Sequence, residues 1–279
     1  MDWIKKLNDS IEYIEENILS EVNYKKLGEI ANCSAYHYQR MFIYMAGMSV
    51  SEYIRKRKMS LAVVDLLAGK KVIDVALKYG YKSPTAFNRA FNSIHGIAPS
   101  ILKNDISSVK SFPAISFTLN VKGLNELNYR IEKKDAFQVV GISMAISNEI
   151  EENIQEIPQM WNRARKDNSI NELVELMSDM QQGVFGISHC LDNEEFRYYI
   201  AVNSDTISKF EKLTIPTATW AIFSNQGAGI SIQELQARIY LEWLPSSGYE
   251  YANLPDIELY LNPDPKDTKF EVWVPIKTV

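Results

Sequence analysis

Cysteine and histidine are scarce in this chain: Cys33 and Cys190, and His37, His95 and His189, among 279 residues. No CxxC pair occurs and the histidines are far apart, so a metal site finds no partners at ligand spacing. Both cysteines read as small apolar packing residues. Long apolar runs are missing too, so no membrane partner is expected. The first ten residues, MDWIKKLNDS, lack the apolar core of a signal peptide, and with so few cysteines a reducing cytoplasm is the expected setting. Also absent are a nucleophile elbow, a P-loop, a dinucleotide fingerprint and a His-Glu zinc motif. The expectation is a protein that is not an enzyme, with no cofactor, no metal and no catalytic residue. What remains is 46% hydrophobic and 23% charged, ordinary for a globular chain long enough for two domains.

The net charge of −5 is unevenly spread. Residues 1–110 carry 16 Lys/Arg against 11 Asp/Glu, a net of +5, and the remaining 169 carry 14 against 24, a net of −10. A mildly basic first part suits a polyanion as partner; the acidic second part does not.

The periodicity of the first part is helical. Trp3, Ile4, Leu7, Ile11, Ile14 and Ile18 recur at spacings of three and four, with acids opposite. Tyr24–Ala31 reads as a short helix and Asn32-Cys33 as a turn. Ser34 caps a helix that Gly47 ends, so this segment is a first helix-turn-helix. Ser49 and Glu52 are spaced as a capping box for a long helix through Leu67 that carries Ile54, Met59, Leu61 and Val64. Then Val72, Val75, Ala76 and Tyr79 keep helical spacing until Gly80, and Ser83-Pro84 starts a helix with Phe87, Phe91 and Ile94 on one face. That is a second helix-turn-helix. A rigid connector between two such units can present both reading helices to one side of a duplex, in major-groove segments about 34 Å apart.

The run Ala76, Gly80-Tyr81, Ser83, Phe87, Arg89, Phe91, Gly96 and Pro99 resembles the signature of the AraC/XylS family of transcription regulators. In the first reading helix, AYHYQRMF, the resemblance turns Met41 and Phe42 inward. It implies that Tyr36, Gln39 and Arg40 face DNA, joined by Thr85, Asn88 and Arg89 from the second. Their chemistry suits the task, since Arg bridges guanine O6 and N7 and Gln bridges adenine N6 and N7. Pro84 departs from the polar residue that many relatives carry. Lys56, Lys58, Lys70, Lys71, Lys78 and Lys82 are candidate phosphate contacts. Arg55 and Arg57 are equally suited to pairing with acids such as Glu52 or Asp65. His37 is either a phosphate contact or an exposed polar filler.

Residues 107–126 mix Ser, Pro and β-branched residues and read as a linker with one strand, between a DNA-binding domain at 1–106 and a second domain at 127–279. In that second domain the pattern is strand (136–147), helix (150–166) and two strands (183–190, 196–203). It then recurs as strand (217–224), helix (231–244) and two strands (256–261, 269–276). This is an internal duplication of a β-α-β-β unit, which pairs through one sheet and leaves a cleft. The expected fold is an all-α domain with two helix-turn-helix units joined by a long helix, followed by an α+β domain.

Trp220 with Phe223 and Gly227, the stretch YLEWLPSSGYE at 240–250, then LPDIELYLNP and the final FEVWVPI resemble the GyrI-like effector-binding domains. Reader first and sensor second is the Rob-type domain order. The resemblance implies a pocket for a small, cationic or aromatic effector, walled by aromatics around one carboxylate. Strand alternation puts Glu258 and Tyr260 on one side of IELY, and Glu271 and Trp273 on one side of FEVWVPI. Glu258 matches the pocket glutamate best, with Glu271 in reserve. Trp161, Phe185, Tyr199, Trp220 and Tyr260 are the candidate walls. A carboxylate among rings is costly to desolvate alone, and a cation relieves that cost while adding cation–π attraction. The two resemblances together imply double-stranded DNA, a small-molecule effector and RNA polymerase as partners. Some GyrI-like relatives hydrolyse small electrophiles with an acid and a tyrosine in the same pocket, and a protein-binding role for this domain is a further alternative.

Overall fold

The computed structural model describes residues 3–102, 109–118, 126–147, 150–190, 195–227, 230–261 and 268–278. Its first part is helical. Helix α1 spans Trp3–Glu16, α2 Tyr24–Ala31, α3 Ala35–Ala46, α4 Val50–Leu67, α5 Val72–Lys78 and α6 Pro84–His95. The capping residues do what their chemistry suggests. Ser34, Ser49 and Ser83 accept hydrogen bonds from the backbone N–H groups of His37, Glu52 and Ala86, each at 3.1 Å. Glu52 turns its own carboxylate to Lys56 at 2.7 Å. The α2–α3 turn passes through Asn32 in the left-handed region, φ 58°, and the α5–α6 turn through Gly80, φ 83°.

The second helix-turn-helix has its own core, in which Met59, Ala62 and Leu66 of α4 meet Val75 and Ala76 of α5 and Phe87 and Phe91 of α6. Asp65 ties α4 to α5 by accepting from Lys70 and Lys78, both at 2.6 Å, and from the Tyr79 hydroxyl at 2.9 Å. These lysines therefore serve the fold. Burial alone would raise the Asp65 carboxyl; the two lysines and Tyr79 outweigh it and bring it down to about 2. A depressed folded-state value contributes stability above the ordinary value of about 3.9, and that contribution is lost as pH falls through about 2. Because both lysines remain half in solvent, Asp65→Asn is expected to cost about 1 kcal/mol at pH 7, and almost nothing at pH 2, in urea unfolding.

The described part of the linker, 109–118, contains no strand; the rest of the stretch expected to hold one, 107–108 and 119–125, lies outside the described residues. Segment 109–118 lies along α1 and α4 through side-chain bonds that replace a ladder. Asn8 exchanges two hydrogen bonds with the Phe117 backbone at 3.0 and 2.8 Å, Arg57 donates to the Phe112 carbonyl at 2.7 Å, and the Phe112 N–H donates to Ser60 at 2.8 Å. Arg57 also pairs with Glu15 at 2.6 Å, an acid on α1 rather than either of those anticipated. The expected boundary at 106–107 lies outside the described residues.

Among the described residues the second part is a nine-stranded antiparallel sheet built from a repeated unit. In the first copy β1 (Tyr129–Lys134) and β2 (Phe137–Ala145) precede α7 (Ile150–Lys166), the short α8 (Ser169–Glu175), β3 (Val184–Cys190) and β4 (Phe196–Asn203). In the second, β5 (Glu211–Ile215) and β6 (Ala218–Gly227) precede α9 (Ile230–Arg238), β7 (Tyr249–Tyr251), β8 (Asp256–Tyr260) and β9 (Thr268–Thr278). Helix α9 continues into a π-helical stretch, Ile239–Trp243, and a last turn, Leu244–Ser246. The sheet order is β1-β6-β9-β8-β3-β4-β2-β5, with β7 also on β9. The two copies therefore meet at β3 and β8, and each lends its first strand to the far side of the other. Only residues 135–136 join β1 to β2 and 216–217 join β5 to β6, so the sheet has to curl until its ends approach. The Ala136 N–H donates to Thr217 across that seam at 2.9 Å, and Phe137 on β2 reaches Trp273 on β9 at 6.4 Å between ring centroids.

Curling separates the two faces. The concave face packs on itself around Phe185, Ile187, Trp220, Ile222, Leu259 and Trp273. The convex face carries α7 over one copy and α9 over the other. The α9 side is continuous with the first helix-turn-helix: Leu7, Ile11, Leu27, Met41 and Phe42 share one buried cluster with Phe223, Trp243, Phe270 and Val272. The two parts thus share a core, and α3 is pressed against the sheet domain. Among the described residues no helix is long and apolar enough to cross a membrane.

Candidate functional site: a cleft closed by the first reading helix

A cleft of about 1,460 Å³ lies where β3 and β8 meet, between α7 and α9, and α3 forms its remaining wall. Period-two alternation decides who faces it. Ile257 and Leu259 point into the concave core, so Asp256, Glu258 and Tyr260 point the other way. Glu258 lines the cleft with its charge held by three donors. One carboxylate oxygen accepts from Gln236 Nε2 at 2.9 Å and from Arg40 Nη2 at 3.2 Å; the other accepts from the Tyr260 hydroxyl at 2.8 Å. Beside it Trp161 stands edge-on to Tyr260, centroids 5.0 Å apart, and donates Nε1–H to the Tyr198 hydroxyl at 2.9 Å. Burial pushes the Tyr198 and Tyr260 phenols well up, the Glu258 charge adding to it, so both remain O–H donors at neutral pH.

Two backbone features shape the floor and roof. Gly186 lies beside Glu258 in the β3–β8 register, and a Cβ there would sit 2.3 Å from the Tyr198 hydroxyl; the missing side chain is the space that phenol fills. Pro158 lies inside α7 where it passes over the cleft, and leaves the helix one backbone donor short there.

The expected effector residues divide between the two faces. Glu258, Tyr260 and Trp161 come together in the cleft. Phe185, Tyr199, Trp220 and Trp273 lie in the concave core instead. Glu271 stays with Trp273, as the alternation requires, but is bound there by Trp273 Nε1 and Arg130, both at 2.8 Å. That face is filled by the curled sheet itself. Tyr198 and Gln236 escaped sequence reasoning, although Tyr198 is adjacent to the chosen Tyr199 and alternation alone could have offered it.

The expected DNA-facing residues divide as well. Thr85, Asn88 and Arg89 are exposed along α6. Tyr36, Gln39 and Arg40 are not free in this arrangement, because α3 turns the same face to the sheet domain. Gln39 is 2% exposed and Tyr36 4%, the latter's ring 5.5 Å from that of Phe196. Arg40 reaches Glu258, and also Asp256 and Ser188 at 3.5 Å each. His37 is 1% exposed, neither a filler nor a phosphate contact here. Its Nδ1 bonds Asp256 at 2.9 Å, its ring stacks on Tyr251 at 3.7 Å, and Tyr240 of the π-helical stretch meets its edge. Burial would raise the Asp256 carboxyl, but His37 and Arg40 outweigh it and hold it below its ordinary value. Tyr44, one turn beyond Arg40, donates to Gln236, the residue that in turn holds Glu258.

Comparisons with known proteins match the chain in two stretches. A family model described as the GyrI-like small molecule binding domain matches residues 127–277, and one described as a helix-turn-helix domain matches residues 27–105. The right origin-binding protein of Escherichia coli (strain K12) is 21% identical over 300 residues, covering 99% of this chain and 100% of that one. The HTH-type transcriptional activator AarP of Providencia stuartii is 31% identical over 98 residues, 35% of this chain and 73% of its own. An uncharacterized HTH-type transcriptional regulator of Bacillus subtilis (strain 168), YbfP, is also 31% identical, over 100 residues; the match spans 36% of this chain and about a third, 34%, of that relative. Among solved structures, that of SAV2435 bound to tetraphenylphosphonium shares the fold at a TM-score of 0.50 and 22% identity, over 54% of this chain and 94% of that one.

Proposed function

Since the chain belongs to the GyrI-like small molecule binding family and carries an AraC-type helix-turn-helix domain ahead of that part, we propose that the cleft around Glu258 is the effector site of a transcription regulator. The reader half is a DNA-binding domain; α6 offers Thr85, Asn88 and Arg89 to bases or backbone, and α3 offers Tyr36, Gln39 and Arg40 once its face is uncovered. The effector is a cation with aromatic or apolar groups. The observation that carries this is the Glu258 carboxylate, bonded by Tyr260, whose ring meets Trp161, in a cleft large enough for a small molecule. A cation there takes the carboxylate as counter-ion and the rings as cation–π partners. Both Glu258 oxygens are already engaged by donors, which supports a binding role over that of a catalytic base, as do relatives described as regulators. The working place is the cytoplasm, where DNA and RNA polymerase are the partners.

Two measurements test this. Titration of the full chain with tetraphenylphosphonium by calorimetry should give saturable binding, weakened about 30-fold or more by Glu258→Gln. Turnover of an electrophile with no Glu258-dependent cation binding would favour a hydrolase instead. Selection of bound duplexes from random DNA should return one preferred sequence, and a pool that stays random would remove the regulator.

A further inference from the structure

We propose that Arg40 is an internal occupant of the effector's cation site, so that a bound effector releases the first reading helix for DNA. The inference rests on the reading of the cleft as the effector site and of α3 as a DNA-reading helix, and adds how the two are coupled.

One carboxylate stands to receive two cations in turn. Arg40 Nη2 lies 3.2 Å from Glu258, and the Arg40 guanidinium is also 5.9 Å from the centroid of the Tyr36 ring. The carboxylate is what the cleft offers a cation, whereas the Tyr36 ring belongs to α3 itself and travels with Arg40. The group supplying the cation here belongs to the helix whose sequence carries the DNA-reading pattern. The remainder of the docked contact uses that same face: Tyr36 on Phe196, and His37 on Asp256 and Tyr251. A duplex and the sheet domain therefore compete for α3. Meanwhile α6 stays exposed, so the docked chain offers DNA one reading helix and withholds the other.

A ligand shifts such an equilibrium only by its differential affinity for the two states. An effector that takes Glu258 from Arg40 binds the undocked state better. DNA reading by Tyr36, Gln39 and Arg40 requires that same state. Effector and duplex then assist one another, and linkage makes the factor equal in both directions. If the effector instead settled in the cleft beside a docked α3, it would hold the helix in place and DNA would be bound more weakly. The sign of the coupling separates the two arrangements.

Three arms of one experiment on the full chain decide it, using tetraphenylphosphonium and a duplex selected by this protein. Saturating cation should tighten duplex binding about 5- to 150-fold, and the duplex should tighten cation binding by the same factor. Without any cation, Glu258→Gln should by itself tighten duplex binding, because Arg40 loses its partner. Asp256→Asn weakens docking through His37 and Arg40 without touching Glu258, and should tighten cation binding although it removes a nearby negative charge. Unchanged or weaker duplex binding on adding the cation, with Glu258-dependent cation binding intact, overturns the proposal and leaves the sensor reading standing. Failure of cation binding in every variant strikes the sensor reading instead. The cation-free arm then decides the release mechanism: Glu258→Gln that leaves duplex affinity unchanged overturns it, and Asp256→Asn serves the same arm if Glu258→Gln does not fold.

Discussion

Trp273→Ala is expected to cost about 3–5 kcal/mol in denaturant unfolding and to leave tetraphenylphosphonium affinity within about twofold for whatever fraction still folds. Trp273 is 1% exposed and sits where the curled sheet closes on itself, touching Phe137, Phe185 and Trp220 by their rings. Its indole N–H also satisfies Glu271, so truncation leaves both a cavity and a buried carboxylate short of one donor. None of these groups reaches the cleft, which lies on the convex face. Trp161→Ala is the counterpart. That side chain stands over the cleft with one edge on Tyr260, so its loss should weaken the cation about tenfold while costing about 1–2 kcal/mol of stability. If Trp273→Ala weakened the ligand as much as Trp161→Ala does, the division of the sheet into a core face and a ligand face would be wrong.

That division marks the limit of what the sequence alone could decide. Alternation placed Glu258 with Tyr260 and Glu271 with Trp273 correctly, because pairing within a strand depends only on the pleat. It could not say which pair looked outward, since that depends on which way the sheet curls. The curl comes from the short β1–β2 and β5–β6 connections, combined with strands exchanged between the two copies. None of that leaves a local periodicity to read. The helices were legible for the opposite reason: Ser34, Ser49 and Ser83 cap by contacts three residues away, and the apolar spacing of Phe87, Phe91 and Ile94 reports a face that packs on its immediate neighbours. Long-range ionic partners stayed hidden on the same principle. Arg57 finds Glu15 across 42 residues, and Arg40 finds Glu258 across 218.

Position also hid the sheet-domain partner of α3. Its polar residues read as a DNA face, and an uncovered face is what a sequence motif assumes. Packing supplied a second partner for it, with the aromatic surround of Phe196, Tyr240 and Tyr251 coming from three separate elements of the sheet domain. Chemistry that recognises a duplex, namely a guanidinium, an amide and an aromatic ring, also recognises a carboxylate set among rings. Such a surface can therefore serve two partners in turn without any change of sequence.

Gly28→Ala should act on both partners at once, with a loss of about 3 kcal/mol and the disappearance of sequence preference in DNA binding. Gly28 lies in α2 where the turn brings α3 hard against it. A Cβ added there would stand 2.7 Å from the Cys33 carbonyl oxygen, 2.8 Å from the Ala35 nitrogen and 2.9 Å from the Ser34 carbonyl carbon. All three are backbone atoms, so no side chain can turn aside. The Gly28 carbonyl also accepts from the Cys33 N–H at 2.9 Å, and separating the helices to admit a methyl group would break that bond as well. Helix propensity works the other way, favouring alanine by about 1 kcal/mol, and is the smaller term. Because α3 shares a buried cluster with α9 and the sheet, the strain should pass into the docked contact, and hydrogen exchange should rise along 35–46 before it rises in α6. A Gly28→Ala chain with wild-type stability would mean that α2 and α3 are not held this close, and the covered state of Arg40 would fall with it.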